Sequence, residues 1–228
     1  MDLPVTPGLD NPIWNTLTGL HRDLALQSGA VMRYPPEYAP FLGVADSEAE
    51  VGDALETLVQ PEETVYLLGV APRPPARWRL ESFRPLAQMV CPAPVAMDDG
   101  PDIIALTQAH RADVLALTAL VYPHYFRPRT MEMGRYFGIY LQGRLAAMIG
   151  ERLGPAGCRE MSAICTHPDF GGQGHARRLT AMLGNDTLAR GQLPFLHVSH
   201  ENVRAKRLYE TLGYRHRGDI GFWALTRR

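Results

Sequence analysis

Residues 162–176, Ser-Ala-Ile-Cys-Thr-His-Pro-Asp-Phe-Gly-Gly-Gln-Gly-His-Ala, constrain the fold more than any other stretch. A strand-like run ends at Thr166, three glycines crowd into positions 171–174, and a helical pattern follows to about Arg190. Glycine permits close backbone approach, and the free amides of a helix start attract anions. A phosphate or pyrophosphate is the natural guest of such a loop. The alternative is a tight connection that needs glycine for geometry alone. No GK[ST] tail follows, which excludes a Walker-type NTPase. A dinucleotide fingerprint wants a small residue where Arg177 stands, although Glu201 follows the next strand where a ribose-binding acid would sit.

The flanking sequence reads as alternating elements. Thr107 is placed to cap a helix with Val114, Leu117 and Val121 on its apolar face. The runs 135–141 and 145–152 are strand-like and joined by Gln142-Gly143-Arg144, a hairpin signal. Residues 160–166 and 194–198 read as strands, and 202–212 as a helix stopped by Gly213. Residues 214–226 supply closing strands. The order predicts an α/β (α+β) fold, a mixed sheet flanked by helices. Upstream, the proline- and glycine-rich stretch 93–102 reads as a linker between an N-terminal α/β half, 1–92, and a C-terminal domain, 103–228. In the first half the spacing of Ile13, Leu17, Leu20 and Leu24 predicts a helix over 12–27. Ser47 and Glu50 have capping-box spacing, and 64–70 reads as a buried strand.

Composition excludes several classes. The 228 residues carry 23 basic and 24 acidic side chains, so neither a strongly basic nucleic-acid binder nor an acidic tail is expected. Lys206 is the only lysine, a bias expected of a GC-rich bacterial gene. The three cysteines, Cys91, Cys158 and Cys165, form no CxxC, which points to a reducing cytoplasm and away from a disulfide framework. No apolar run approaches the roughly 20 residues of a membrane helix, and residues 1–12 do not read as a signal peptide. His197 and His200 have no third partner in view, so no metal site is expected.

Gly171-Gly-Gln-Gly174-His-Ala176 resembles the loop of the GNAT superfamily of acyl-CoA-dependent N-acyltransferases. That loop runs arginine or glutamine, two residues, glycine, one residue, then glycine or alanine; Gly171 departs at the first position. A second block, Asn202-Val-Arg-Ala205-Lys-Arg-Leu208-Tyr209-Glu-Thr-Leu-Gly213-Tyr214, looks like the family's asparagine–alanine–leucine–tyrosine helix. One helix and one strand separate the two blocks, as in the family. The resemblance covers 105–228 and suggests a bacterial subgroup whose N-terminal half is a degenerate copy of the same fold.

The resemblance implies an N-acetyltransferase that moves an acetyl group from acetyl-CoA to a primary amine of a small molecule, peptide or protein, without a covalent enzyme intermediate. It implies cofactor contacts from Ile164, Cys165 and Thr166 at the strand end, from Gly171, Gly172, Gln173, Gly174, His175 and Ala176 in the loop, and from Asn202 and Tyr209. Arg177 or Arg178 would supply the charge lost at Gly171. Tyr209 is the implied general acid and Glu160 the candidate base. Asn202 is equally placed to cap its helix. His167 reads as a structural loop histidine, His197 and His200 as packing or channel residues, and Tyr122 to Arg129 as an aromatic and basic lining or a packed connection. The family also admits a homodimer; neither nucleic acid nor membrane is expected as a partner. A non-catalytic acyl-CoA-binding regulatory module is the alternative, and a nicotinamide-dependent oxidoreductase a third reading.

Overall fold

The computed structural model describes residues 6–227. Its first part holds α1 (Pro12–Leu17), β1 (Leu26–Ser28), β2 (Val31–Arg33), β3 (Leu42–Val44), α2 (Gly52–Leu58), β4 (Thr64–Leu68), β5 (Trp78–Ser82) and β6 (Leu86–Val90). The second holds β7 (Ile104–Leu106), α3 (Arg111–Val121), β8 (Tyr136–Leu141), β9 (Arg144–Glu151), β10 (Cys158–Thr166), α4 (His175–Ala189), β11 (Leu193–Ser199), α5 (Val203–Thr211), β12 (Arg215–Ile220) and β13 (Phe222–Arg227). The body is a seven-stranded mixed sheet, β12-β6-β11-β10-β9-β8-β7, in which only β10 and β11 run parallel. Helix α4 packs on this sheet through Leu179 and Leu183, which share a core with Ile149 and Leu196. The mixed sheet flanked by helices expected from the sequence is the observed architecture, with β7 added ahead of α3.

Local chemistry explains most of the second half. Gln142 and Gly143 take φ of 52° and 74°, the two left-handed positions that a tight β8–β9 hairpin requires. Thr107 accepts a hydrogen bond from the Ala109 amide and caps a 3-10 turn, Gln108–His110, that leads into α3. Asn202 accepts from the Ala205 amide at 3.1 Å and starts α5.

The halves exchange strands. β6, from before the linker, lies between β11 and β12, while β13 leaves its neighbour β12 and pairs with β4 and β5. β6 is covered on both faces, as a central strand must be. Ala87, Met89 and Cys91 enter the core shared with Leu179 and Leu196, and Val90 enters the one that holds Leu9, Ile13 and Phe195. Residues 93–102 form no helix or strand and are strapped along α4: Val95 exchanges two hydrogen bonds with the Asn185 side chain, at 2.9 and 2.8 Å.

The first half departs from its sequence reading. The helix expected over 12–27 ends at Leu17, and the His21 amide turns back to the Thr16 carbonyl at 2.9 Å. His21 is thereby buried, with Nδ1 on the Tyr34 hydroxyl and Nε2 on the Met133 carbonyl, both at 2.9 Å. Continuing the helix would break both contacts. The Ser47–Glu50 box does not form: α2 starts at Gly52, and the Ser47 hydroxyl faces Glu48 instead.

Candidate active site

Strands β10 and β11 are paired only from Cys158–Leu193 to Glu160–Phe195. Both continue, to Thr166 and Ser199, but apart. On its other side β10 slips register against β9 between Ser162 and Cys165, where Ala163 sits at φ 49°. A non-glycine residue held there costs on the order of 1–3 kcal/mol, and such bulges re-aim backbone groups. A cleft of about 610 Å³ opens where the strands part, lined by residues 160–164 of β10, His197, Val198 and Ser199 of β11, and Asn202 and Tyr209. Unpaired strand edges along a cleft are what an extended, amide-bearing chain needs for added-strand pairing.

At the end of β10 a 3-10 turn, Pro168–Phe170, leads into the glycine loop. Gly172 and Gly174 take φ of 79° and 80°, and a Cβ built on either meets nothing within 4 Å. Crowding therefore does not select these glycines; backbone conformation does, and the space over them is open. Gly174 is the N-cap of α4, and no side chain caps that end. The first amides of a fifteen-residue helix thus stand beside bare backbone, a ready anion cradle. Arg177, expected as a cofactor contact, has its Nε donating to Asp98 Oδ2 at 2.7 Å, and Arg178 donates to the carbonyls of Pro101 and Asp98, so both guanidiniums hold the linker.

Glu160 is 1% exposed and accepts hydrogen bonds from Arg152 Nε (2.9 Å) and Nη2 (2.8 Å), the Leu153 amide (3.2 Å) and His197 Nδ1 (2.8 Å). Burial alone would raise its carboxyl. The Arg152 guanidinium and the His197 hydrogen bond outweigh that and hold it well below the usual carboxylate range. Four hydrogen bonds make Glu160 the anchor of Arg152 and His197, an arrangement that weakens it as a base. His197 is fixed in turn. Gln88 Oε1 accepts from Arg217 at 2.9 Å, which leaves Gln88 Nε2 to donate to the Leu9 carbonyl (2.9 Å) and to His197 Nε2 (3.0 Å). His197 then accepts at Nε2 and donates at Nδ1 to Glu160.

Tyr209 is 7% exposed and reaches the same cleft from α5. Burial, with Cys165 and Tyr122 nearby, pushes its phenol well above the ordinary value, so it holds its proton firmly. Cys165 is buried, and burial pushes its thiol up to about 12, which works against a thiolate there.

A family model described as FR47-like protein matches residues 136–224. Among solved structures, a GNAT-family protein from Novosphingobium aromaticivorans superposes with a TM-score of 0.88 at 36% identity, covering 98% of this chain and 100% of that one. The chain belongs to the GNAT family. A GCN5-related N-acetyltransferase from Kribbella flavida (TM-score 0.62, 19% identity, 96% of each chain) and a GCN5-related N-acetyltransferase-like protein from Streptococcus suis (TM-score 0.54, 16% identity, 97% of this chain and 96% of that one) share the fold. No curated protein matches the sequence. Acetyl transfer from acetyl-CoA is, in general terms, the chemistry of this GNAT enzyme.

The GNAT motif residues thus fall in two neighbouring places. Ile164, Asn202 and Tyr209 line the cleft, and residues 171–176 form the cradle beyond the strand end. His167 Nδ1 accepts from the Asp169 amide at 3.2 Å, a loop-holding bond, and His200 pairs with Asp219 at 2.9 Å. Of the segment 122–129, Tyr122 and Tyr125 line the cleft, while Arg129 packs over Tyr38 and pairs with Glu132 at 2.6 Å. Sequence reading missed Arg152, Gln88, Phe41, Phe83 and Phe222. None carries a motif: Arg152 reaches Glu160 from the adjacent antiparallel β9 side, and Gln88, Phe41, Phe83 and Phe222 come from segments distant in sequence. Among the described residues no cluster of His, Cys, Asp and Glu is arranged to hold a metal ion, and no helix is long and apolar enough to cross a membrane.

Proposed function

We propose that the protein is an acetyl-CoA-dependent N-acetyltransferase that acetylates a primary amine by direct transfer in the cleft between β10 and β11. One observation carries the reading: β10 parts from β11 beside the bulge at Ala163, opens a cleft that Tyr209 lines, and leads through the glycine loop to the uncapped start of α4. An uncapped helix start and an unpaired strand edge fit a pyrophosphate joined to a chain of amides. Gly172 to Ala176, with the Arg177 backbone N–H, would hold the pyrophosphate. The edge from Ile164 to Thr166 would pair with the amides, and Asn202 stands beside it while capping α5. Bound acetyl-CoA supplies an activated acetyl group as a thioester.

The chain's own groups do the rest. A backbone N–H at the bulge polarises the carbonyl, an interaction worth about 2.7–4 kcal/mol of barrier. As the new C–N bond forms and the C–S bond breaks, Tyr209 Oη donates its proton to the departing sulfur and recovers one from solvent. No carboxylate in the cleft is left to take the amine's proton, because Glu160 is saturated and Glu201 pairs with Arg84 at 2.9 Å. The amine therefore reacts from its free-base form, and the N–H proton it sheds as the C–N bond forms goes to water. Calorimetry with CoA and with NAD tests the cofactor: micromolar binding of CoA alone is expected, and preference for NAD or binding of neither contradicts the reading.

A further inference from the structure

The Glu160 end of the cleft, away from the glycine loop, is walled by rings. Phe41, Phe83, Tyr122, Tyr125 and Phe222 line it, and Tyr66 packs behind them. The rings are continuous: Tyr66–Tyr125 at 5.0 Å, Phe83–Phe222 at 5.2 Å, Tyr122–Tyr125 at 5.8 Å and Phe41–Tyr125 at 5.9 Å between centroids. They come from the β3 entry, the β5–β6 turn, the segment after α3, and β13, so both halves build this wall. Arg152 lies over the Phe41 ring at 4.7 Å and ties the wall to Glu160. A thioester held by the loop and the β10 edge would present its carbonyl toward these rings.

Charge narrows the occupant. Every charged side chain that lines the cleft already faces a counter-charge: Arg152 with Glu160 at 2.8 Å, and Arg84 with Glu201 at 2.9 Å. Arg84 and Glu201 are exposed to solvent, whereas Arg152 and Glu160 are buried and satisfy each other, so a carboxylate or second ammonium group carried inside the cleft finds no unmet buried partner, and desolvating one without a partner is costly. The whole cleft, about 610 Å³, has to take the end of the pantetheine chain as well as the acceptor, which leaves room for a small molecule. We infer that the acceptor is a small primary amine carried on an aromatic or similarly flat apolar body, with no carboxylate and no second charge. The inference rests on the acetyltransferase reading and specifies its substrate class.

The test is acetyl-CoA-dependent acetylation of four probes: 2-phenylethylamine, spermidine, L-phenylalanine and a short peptide with a free N-terminal alanine. CoA binding is measured by calorimetry on the same protein. The kcat/KM for 2-phenylethylamine should exceed those of the other three by about tenfold or more, the scale of one ring contact or one unpaired charge. Phe83 is 37% exposed, so Phe83→Ala spares the core; it should raise KM for 2-phenylethylamine several-fold while the CoA Kd stays put. Phe83→Leu should recover only part of the loss. Spermidine, phenylalanine or the peptide matching 2-phenylethylamine overturns the inference and leaves the acetyltransferase reading standing. So does a Phe83→Ala enzyme with unchanged KM, or CoA binding without turnover of the aromatic amine. Absence of CoA binding removes the acetyltransferase reading, and the inference falls with it.

Discussion

Tyr209 and Glu160 sit in one cleft with opposite proton affinities, and the proposed mechanism gives them different roles. Tyr209→Phe keeps the ring and its packing beside Tyr214, at 5.9 Å, and removes only the hydroxyl. Turnover should fall roughly 10²–10⁴-fold with CoA affinity unchanged, as loss of a general acid predicts. Near-normal turnover with about 1 kcal/mol of lost stability would mark a merely structural hydroxyl. In the proposed mechanism the phenol is raised and no carboxylate serves as base, so kcat/KM should climb with pH toward the amine's own pKa. It should decline only above the ordinary phenol value near 10. A plateau set by a group near pH 4–5 would restore a carboxylate base. Glu160→Gln leaves the Arg152 charge buried without its partner and should cost about 3–5 kcal/mol in denaturant unfolding. The sign with pH follows from a folded pKa below the unfolded one. The Glu160 contribution is complete above the unfolded value near 4.3 and is lost as pH falls through the folded value. The wild-type advantage over Glu160→Gln should therefore shrink only in acid.

At the scale of elements, the loop and the start of α4 act as one unit. Gly174→Val puts a β-branched residue at φ 80°, where the space is open but the conformation is costly by about 1–2 kcal/mol. The loop should relax, turn its amides away and lose CoA binding, while the melting temperature moves by a few degrees. Retained CoA affinity in a folded Gly174→Val protein would reduce the loop to a turn. These elements were legible in the sequence because their signals are local: a glycine cluster, an Asn202 cap, a two-residue hairpin turn. The positions of β1, β2, β3, β5 and β6 were not. Strands of three to five residues carry too short an alternation, and β6, buried on both faces, has none to show. Glu160 was legible as a residue near the chemistry but not as a saturated one, since its partners Arg152 and His197 arrive from two other segments. Arg177 looked available because nothing in its neighbourhood of sequence announces Asp98, 79 positions away.

At the scale of the whole molecule, the exchange of β6 for β13 makes two halves into one folding unit. A fragment spanning 103–228 lacks Ala87, Met89 and Cys91 from its core and leaves β11 and β12 with open edges. It should be insoluble or unfolded by circular dichroism. Limited proteolysis of the intact chain within 93–102 should leave the two pieces associated on a sizing column; separate, stable, active halves would contradict the interlock. The claim on which everything else rests is direct transfer in the β10/β11 cleft, and pre-steady-state thiol release tests it most directly. Enzyme mixed with acetyl-CoA alone should release no stoichiometric burst of CoA thiol, and adding an accepted amine should start steady release matched one-to-one by N-acetylated product. A burst without acceptor would mean that the acetyl group moves to the protein first, and no release with any amine would mean that the cleft does not carry out the transfer.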